Sequence, residues 1–144
     1  MEINTIFKNI IPIQVRFNDV DIIGHVSNTV YLNYYDSGKV SYFNEVMPDL
    51  DFINTGFVGA KITIDYLKPI YMKTKILVTT RVSILGHKSI TMDHLLLDEL
   101  QQDILSTCSA VLVCYDIKAL KSIIVPQHWR QKILEYDENV VVKY

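Results

Sequence analysis

Two carboxylates, a histidine and a polar helix start lie within eleven residues near the beginning of the chain. Asp19 and Asp21 are separated by one residue, and His25 follows four residues after Asp21. The first residues of a helix carry free backbone N–H groups and roughly half a positive charge, which stabilise an oxyanion. A carboxylate beside such a helix start can act as nucleophile or general base toward a carbonyl group. The same residues also fit a loop that only caps the helix, through Ser27 or Asn28.

A strand and a long helix are predicted to position these residues. Ile10–Phe17 is predicted to be the first strand, and no proline interrupts residues 29–47. Within that stretch, aromatic and small residues recur every three to four positions and share one face of a helix: Tyr31, Tyr34, Tyr35, Gly38, Tyr42 and Val46. A helix over Thr29–Met47 is about 28 Å long, and we expect it to form the centre of the core.

The rest of the chain is predicted to be mostly strands. After an irregular stretch at residues 49–57, apolar and polar residues alternate with period two in Ile62–Tyr66 and Ile76–Ile84. A hairpin turn then leads into a strand over Ser89–Leu97, and a long, nearly uncharged strand follows over Ile104–Asp116. A short helix is predicted over Gln127–Glu135, because Pro126 is well tolerated in a first turn. This order indicates an α+β fold, in which one helix packs on one meandering antiparallel sheet.

Composition narrows the possible classes of protein. The chain has 144 residues and a formal net charge of −2, which predicts a single domain over residues 1–144. The balanced charge argues against a nucleic-acid partner, and the longest uncharged runs are too short to cross a membrane. Cys108 and Cys114 lie roughly 20 Å apart on one predicted strand, so they are expected to be unpaired and buried. No metal-ligand spacing occurs, and we expect a soluble, cytoplasmic protein.

Residues 15–31 carry a motif that resembles a known enzyme family. The motif consists of aromatic Phe17, the Asp-x-Asp pair, Gly24, and a helix that opens with Asn28 and Tyr31. It resembles the signature of the hotdog-fold acyl-CoA thioesterases, in the 4-hydroxybenzoyl-CoA thioesterase-like group. Three further fragments, in the order that the family uses, extend the resemblance over roughly residues 10–132: 65–70, 86–89 and 113–116 with 125–130.

The resemblance implies a fold, a chemistry and an assembly. The fold is a curved antiparallel sheet wrapped around one long central helix. The second Asp of the pair, Asp21, is catalytic, either by direct attack on the thioester carbonyl or by activation of water. The carbonyl oxygen is polarised by a backbone N–H that maps onto Asn28. No metal or organic cofactor is implied, and the active sites lie at the interfaces of a homodimer or homotetramer.

The resemblance also suggests roles for other residues near the motif and beyond it. His25 lies near the active site in related sequences, where it positions substrate or supports the loop. Tyr31 is expected to form part of the pocket wall. His87 and Lys88 occupy a turn that meets the nucleotide of CoA in relatives. We expect Asp19, two residues before Asp21, to have a structural role in the loop.

Three other functions remain open from the sequence. Acyl-carrier-protein thioesters are alternative substrates, since scattered positive charge suits an acidic carrier protein. A hotdog hydratase would use a catalytic histidine with a nearby acid, and Asp21 and His25 are four residues apart. A non-enzymatic acyl-binding protein is the third alternative, because one fold supports many functions.

Overall fold

In the computed structural model, which describes residues 6–144, two helices pack on a seven-stranded sheet. The helices are α1 (Val30–Val46) and α2 (Gln127–Tyr136). The strands are β1 (Asn9–Ile13), β2 (Thr55–Tyr66), β3 (Ile76–Leu85), β4 (Ser89–Asp98), β5 (Ile104–Asp116), β6 (Lys121–Ser122) and β7 (Val141–Val142). The α+β class is confirmed. The single domain over 1–144 stays a prediction, and residues 1–5 lie outside the described part.

The sheet has the order β1-β3-β4-β5-β2, with β6 beside β5 and β7 beside β3. All neighbours are antiparallel except β3 and β7. β2 therefore forms one edge of the sheet although it precedes β3 in the chain. The loop that carries Asp21 and the beginning of α1 lie near the end of this edge strand, because Tyr66 reaches the backbone of Asn28.

Two predicted boundaries are wrong, and strand pairing explains the first. The first strand ends at Ile13 rather than Phe17, because its partner β3 begins at Ile76, directly opposite Ile13. The following residues leave the sheet, and Phe17–Asp19 form a 3-10 turn. β2 begins at Thr55, inside the stretch that is predicted from the sequence to be irregular.

The predicted inner face of α1 is confirmed, with Tyr31, Tyr34, Tyr35, Gly38, Tyr42 and Val46 all buried. At Gly38 the helix packs directly against side chains of β3. A Cβ atom added there would lie 2.6 Å from Oγ1 of Thr80 and 3.0 Å from Cγ2 of Val78. Only glycine therefore allows α1 to pack at this distance from the sheet.

A buried carboxylate connects α2 to the rest of the core. Asp137, the C-cap residue of α2, accepts hydrogen bonds at Oδ2 from the Tyr42 hydroxyl at 2.6 Å and the Val82 amide at 2.9 Å. Burial raises the pKa of Asp137 above its ordinary value. One side chain thus holds α1, α2 and β3 together.

Both cysteines are buried and unpaired, which confirms the prediction for Cys108 and Cys114. Burial raises the pKa of the Cys108 thiol to about 12 and that of the Cys114 thiol to about 11. Neither helix in residues 6–144 combines the length and the apolar content that crossing a lipid bilayer requires.

Candidate active site

The loop that carries Asp21 is a tight hairpin. Its ends meet in an isolated antiparallel bridge between Val20 and Val26. The Asp21 amide donates to the carbonyl of His25 at 2.9 Å, and the Gly24 amide donates to the carbonyl of Asp21 at 3.0 Å. Gly24 has a φ of +90°, a conformation that L side chains rarely adopt. Backbone hydrogen bonds and one glycine conformation therefore close this loop.

The Asp21 side chain is held by one of its two oxygens. Oδ1 accepts hydrogen bonds from the amides of Ile23 at 2.9 Å and His25 at 3.4 Å. Among residues 6–144, no partner is found for Oδ2, and Asp21 is exposed. The loop thus orients the carboxylate and leaves one oxygen available to react.

Asp21 opens onto a cavity of about 470 Å³. The cavity is also lined by three residues that the sequence singled out, His25, Asn28 and Tyr31. Across the cavity lies the end of β2 with the residues that follow it, including Tyr66 and Lys68. Lys68 pairs with Asp103 at 2.9 Å, and both side chains are substantially exposed. The structure therefore brings the predicted carboxylate and the predicted helix start into one cavity.

The beginning of α1 offers free backbone donors to this cavity. The N-cap is Thr29 and not Ser27 or Asn28. The Val30 amide donates to the Ser27 carbonyl at 2.9 Å in the turn that precedes the helix. No side chain caps the helix. No acceptor within residues 6–144 is found for the amides of Asn28 and Thr29. An oxygen atom in the cavity could accept a hydrogen bond from these amides, and the helix dipole would stabilise negative charge on it.

Tyr66 forms part of the wall opposite α1, although sequence analysis did not assign it to the site. Its hydroxyl donates to the carbonyl of Asn28 at 3.2 Å. Its ring meets Tyr31 edge to face, with centroids 4.8 Å apart. The signal that could have found Tyr66 is its place at the end of an alternating strand, inside a fragment that resembles the family. Tyr31 itself lies in the cavity wall, where it was predicted.

His25 is half-buried beside the cavity and packs against another residue that sequence analysis missed. Its backbone forms a bridge with Tyr71, and the two rings meet edge to face with centroids 5.0 Å apart. The hydrogen bond between His25 and Asp21 uses the His25 backbone amide and not its ring. This geometry is better suited to holding the loop in position than to proton transfer between the His25 ring and Asp21.

Asp19 connects the loop to the core. Its Oδ2 accepts hydrogen bonds from the Tyr34 hydroxyl at 2.7 Å and the Arg16 amide at 2.9 Å. Its carbonyl accepts from the Ser27 amide at 2.9 Å. Burial, together with the Asp19 carboxylate, raises the pKa of Tyr34 above its ordinary value. These contacts agree with the structural role predicted for Asp19.

His87 and Lys88 do not reach the cavity within one chain. Their turn packs beside α2, where Arg130 donates to the Gly86 carbonyl at 2.7 Å. The Lys88 carbonyl accepts from Cys114, near one end of β5, whereas the cavity lies near Leu105 at the other end. These two ends are roughly 30 Å apart along the strand. Within one chain, the predicted nucleotide-binding turn of His87 and Lys88 is therefore far from the predicted reaction centre at Asp21.

Comparisons with known proteins agree on one family. The model of the Thioesterase-like superfamily matches residues 15–133. A thioesterase from Thermus thermophilus, solved in complex with coenzyme A and Zn, is 31% identical with a TM-score of 0.79, and the match covers 92% of this chain and 94% of that one. Two curated relatives are more distant. The long-chain acyl-CoA thioesterase FadM of Escherichia coli is 23% identical over 123 residues, or 84% of this chain and 93% of FadM. The Bacillus subtilis protein YsmA is 27% identical over 94 residues, or 65% of this chain and 64% of YsmA.

Proposed function

The chain belongs to the thioesterase-like superfamily of thioester hydrolases, and we propose that it hydrolyses acyl-CoA with Asp21 as the reacting carboxylate. In this reaction the thioester C–S bond breaks, the oxygen of water joins the acyl carbon, and the sulfur leaves as the thiol of CoA. The observation that carries the proposal is that Asp21 and Asn28 line the same cavity, while no partner is found within residues 6–144 for Oδ2 of Asp21 or for the Asn28 amide.

The two groups can act on one carbonyl from different sides. The thioester oxygen accepts a hydrogen bond from the Asn28 amide, and the start of α1 stabilises the negative charge that develops on it. Oδ2 of Asp21 then either attacks the carbonyl carbon, giving an acyl-aspartate anhydride that water hydrolyses, or removes a proton from an attacking water. Both routes require a carboxylate that the loop already orients, which reduces the entropy lost on reaching the transition state.

The arrangement of His25 favours hydrolysis over hydration. A hydratase of this fold would need the imidazole as an acid or base beside a carboxylate. Here the His25 ring packs against the Tyr71 ring, and its connection to Asp21 runs through the backbone. We therefore assign His25 to positioning the loop and the substrate.

A homodimer would account for the distant turn of His87 and Lys88. β2 is a twelve-residue edge strand that carries exposed Val58 and Ile62, and such an edge pairs readily with another strand. Pairing two copies of β2 antiparallel about a two-fold axis reverses their directions. The partner subunit's Lys88 turn then lies at the same end of the joined sheet as the cavity of Asp21. A basic side chain there would bind phosphate groups of CoA.

The test is thiol release from a panel of acyl-CoA thioesters, short to long and aliphatic to aromatic, by the unaltered protein and the Asp21→Asn variant. We expect hydrolysis that peaks on one class, and a fall in kcat/KM of at least ~100-fold in the variant, because the amide can neither attack nor accept a proton. The fold should be retained, since the side chain is exposed and bonds only within its loop.

Two results would contradict the proposal. Hydrolysis by Asp21→Asn at the rate of the unaltered protein would exclude the carboxylate from the chemistry. Thiol release from acyl-carrier-protein thioesters alone would replace CoA by the carrier protein as the substrate.

A further inference from the structure

A second cavity, of about 330 Å³, is lined by residues of α1, β2, β4 and β5. On the helix, Tyr31 lines the first cavity and Tyr35, one turn later, lines the second. On the strand, Tyr66 lines the first cavity and Ile62 lines the second. The two cavities therefore lie one after the other along α1 and β2, and the second is farther from Asp21.

His94 is the polar group buried in this second cavity. It lies on β4 with 2% of its surface exposed, beside the ring of Tyr35 at a centroid distance of 5.4 Å. Its Nδ1 is 2.9 Å from Oγ1 of Thr80, and the backbone of Thr79 also forms a hydrogen bond with the ring. Within residues 6–144 no side-chain partner is found for Nε2. Burial lowers the pKa of His94 to about 4, so the ring is neutral near pH 7. A neutral imidazole offers one hydrogen-bond donor and one acceptor.

The position of His94 interrupts an apolar row. On the inward face of β4, its neighbours Ile90, Met92 and Leu96 are all fully buried and apolar. A polar side chain at such a position lowers stability unless its hydrogen-bonding groups are satisfied. His94 meets this requirement in part through the buried hydroxyl of Thr80.

We propose that this cavity receives the distal part of the acyl group and that His94 selects chains carrying an uncharged hydrogen-bonding substituent, a hydroxyl or a keto group. The inference rests on the proposed function, because the carbonyl position is set by Asp21 and Asn28. Tyr35 follows Asn28 by seven residues, which places the substituent roughly 10 Å along the helix axis from the carbonyl. The charged residues that line the same cavity are Asp36, which pairs with Lys39 at 3.0 Å, and Lys61. The requirement for an uncharged substituent therefore comes from the neutral imidazole and not from these charges.

The experiment compares saturated acyl-CoA substrates with the same chains carrying one hydroxyl at successive carbons. For the unaltered protein we expect kcat/KM to rise about tenfold at one hydroxyl position, the gain of one well-placed hydrogen bond in a buried site. His94→Leu should bring the ratio between hydroxylated and plain chains to about one. His94→Gln is the matched control, because its amide keeps a donor and an acceptor and should preserve part of the preference.

Melting temperatures of both variants show whether they fold. If His94→Leu does not fold, the test is whether the unaltered protein prefers a hydroxyl at one position of the chain. An equal preference in the unaltered protein and His94→Leu would overturn the role of His94. The absence of any preferred position would overturn the inference while plain chains are still hydrolysed, which leaves the proposed function standing. Failure to release thiol from every substrate would overturn both.

Discussion

Asp19 and Asp21 are two residues apart, and their surroundings give them different tasks. Asp19 is tied to the core through the hydroxyl of Tyr34, whereas Asp21 is held only by amides of its own loop and faces a cavity. The first carboxylate positions the loop, and the second is available for chemistry. Sequence spacing alone could not separate them, because Tyr34 lies 15 residues from Asp19 and meets it only when α1 has packed.

Replacing Tyr34 by Phe should loosen the loop from the helix. The variant loses a hydrogen bond to a carboxylate, so we expect the free energy of unfolding to fall by about 1.5–3 kcal/mol. We also expect kcat to fall several-fold, because the Asp21 loop is then less well oriented. Unfolding in urea and steady-state kinetics with the best acyl-CoA measure the two effects.

Tyr42→Phe is the matched control for this prediction. It removes a similar bond, from Tyr42 to Asp137 at 2.6 Å, but at the other end of α1. It should lower stability and leave kcat almost unchanged. Equal kcat values in the two variants would show that the bond between Tyr34 and Asp19 serves stability only.

The motif around Asp21 predicted the residues of the candidate site that are close together in the sequence. It did not predict the residues that are distant in the sequence. Asp21, His25, Asn28 and Tyr31 line one cavity because they lie on one loop and the helix turn that follows. Tyr66 was missed because the pairing of β2 with β5, rather than local sequence, brings its hydroxyl to the loop.

At the scale of elements, Gly38 determines how closely α1 approaches the sheet. Helix propensity alone predicts that Gly38→Ala stabilises the protein by about 1 kcal/mol. The contact of 2.6 Å between the added Cβ and Oγ1 of Thr80 predicts the opposite. We expect a loss of about 1–3 kcal/mol in the free energy of unfolding, measured in urea, because the helix must move or Thr80 must change rotamer.

Ser37→Ala is the control for Gly38→Ala, since Ser37 is on the exposed face of the same helix and should change stability by less than about 0.5 kcal/mol. If the Gly38→Ala variant were more stable than the unaltered protein, the space between α1 and β3 would be large enough for a Cβ atom.

Elements with a clear periodicity were predicted well, and their ends were not. The helix predicted over Thr29–Met47 is observed over Val30–Val46, because the spacing of its buried face is a local property. The first strand was predicted to end four residues too late, because its end depends on where β3 begins. The end of a strand depends on how far its partner extends, and the sequence of one strand does not contain that information.

At the scale of the whole molecule, the dimer proposal predicts that two defective chains restore activity together. Lys88→Glu should raise KM for acyl-CoA several-fold, because it reverses a charge near the phosphates. In a mixed dimer of Asp21→Asn and Lys88→Glu chains, one site combines an intact Asp21 with an intact Lys88 from the other chain. We therefore expect differently tagged, coexpressed chains, purified through both tags, to be more active at low substrate than either variant alone.

Sedimentation and a second pair of variants test the interface itself. Val58→Asp should shift the protein toward monomers, since it places a charge on the proposed β2 interface, whereas Leu120→Asp, in an exposed turn, should not. A monomeric and fully active unaltered protein, or mixed dimers no better than their parents, would contradict the shared site.

The buried carboxylate of Asp137 also constrains when the protein can fold in a cell. Its partners Tyr42 and Val82 precede it by 95 and 55 residues, so a ribosome makes them well before Asp137. At ordinary translation speeds Tyr42 waits on the order of ten seconds. During that time the Tyr42 end of α1 lacks the cover of α2, including Trp129 and Ile133 of the same core cluster. A nascent chain stalled before Trp129 would expose this apolar surface, and chaperones that bind apolar segments would bind it there.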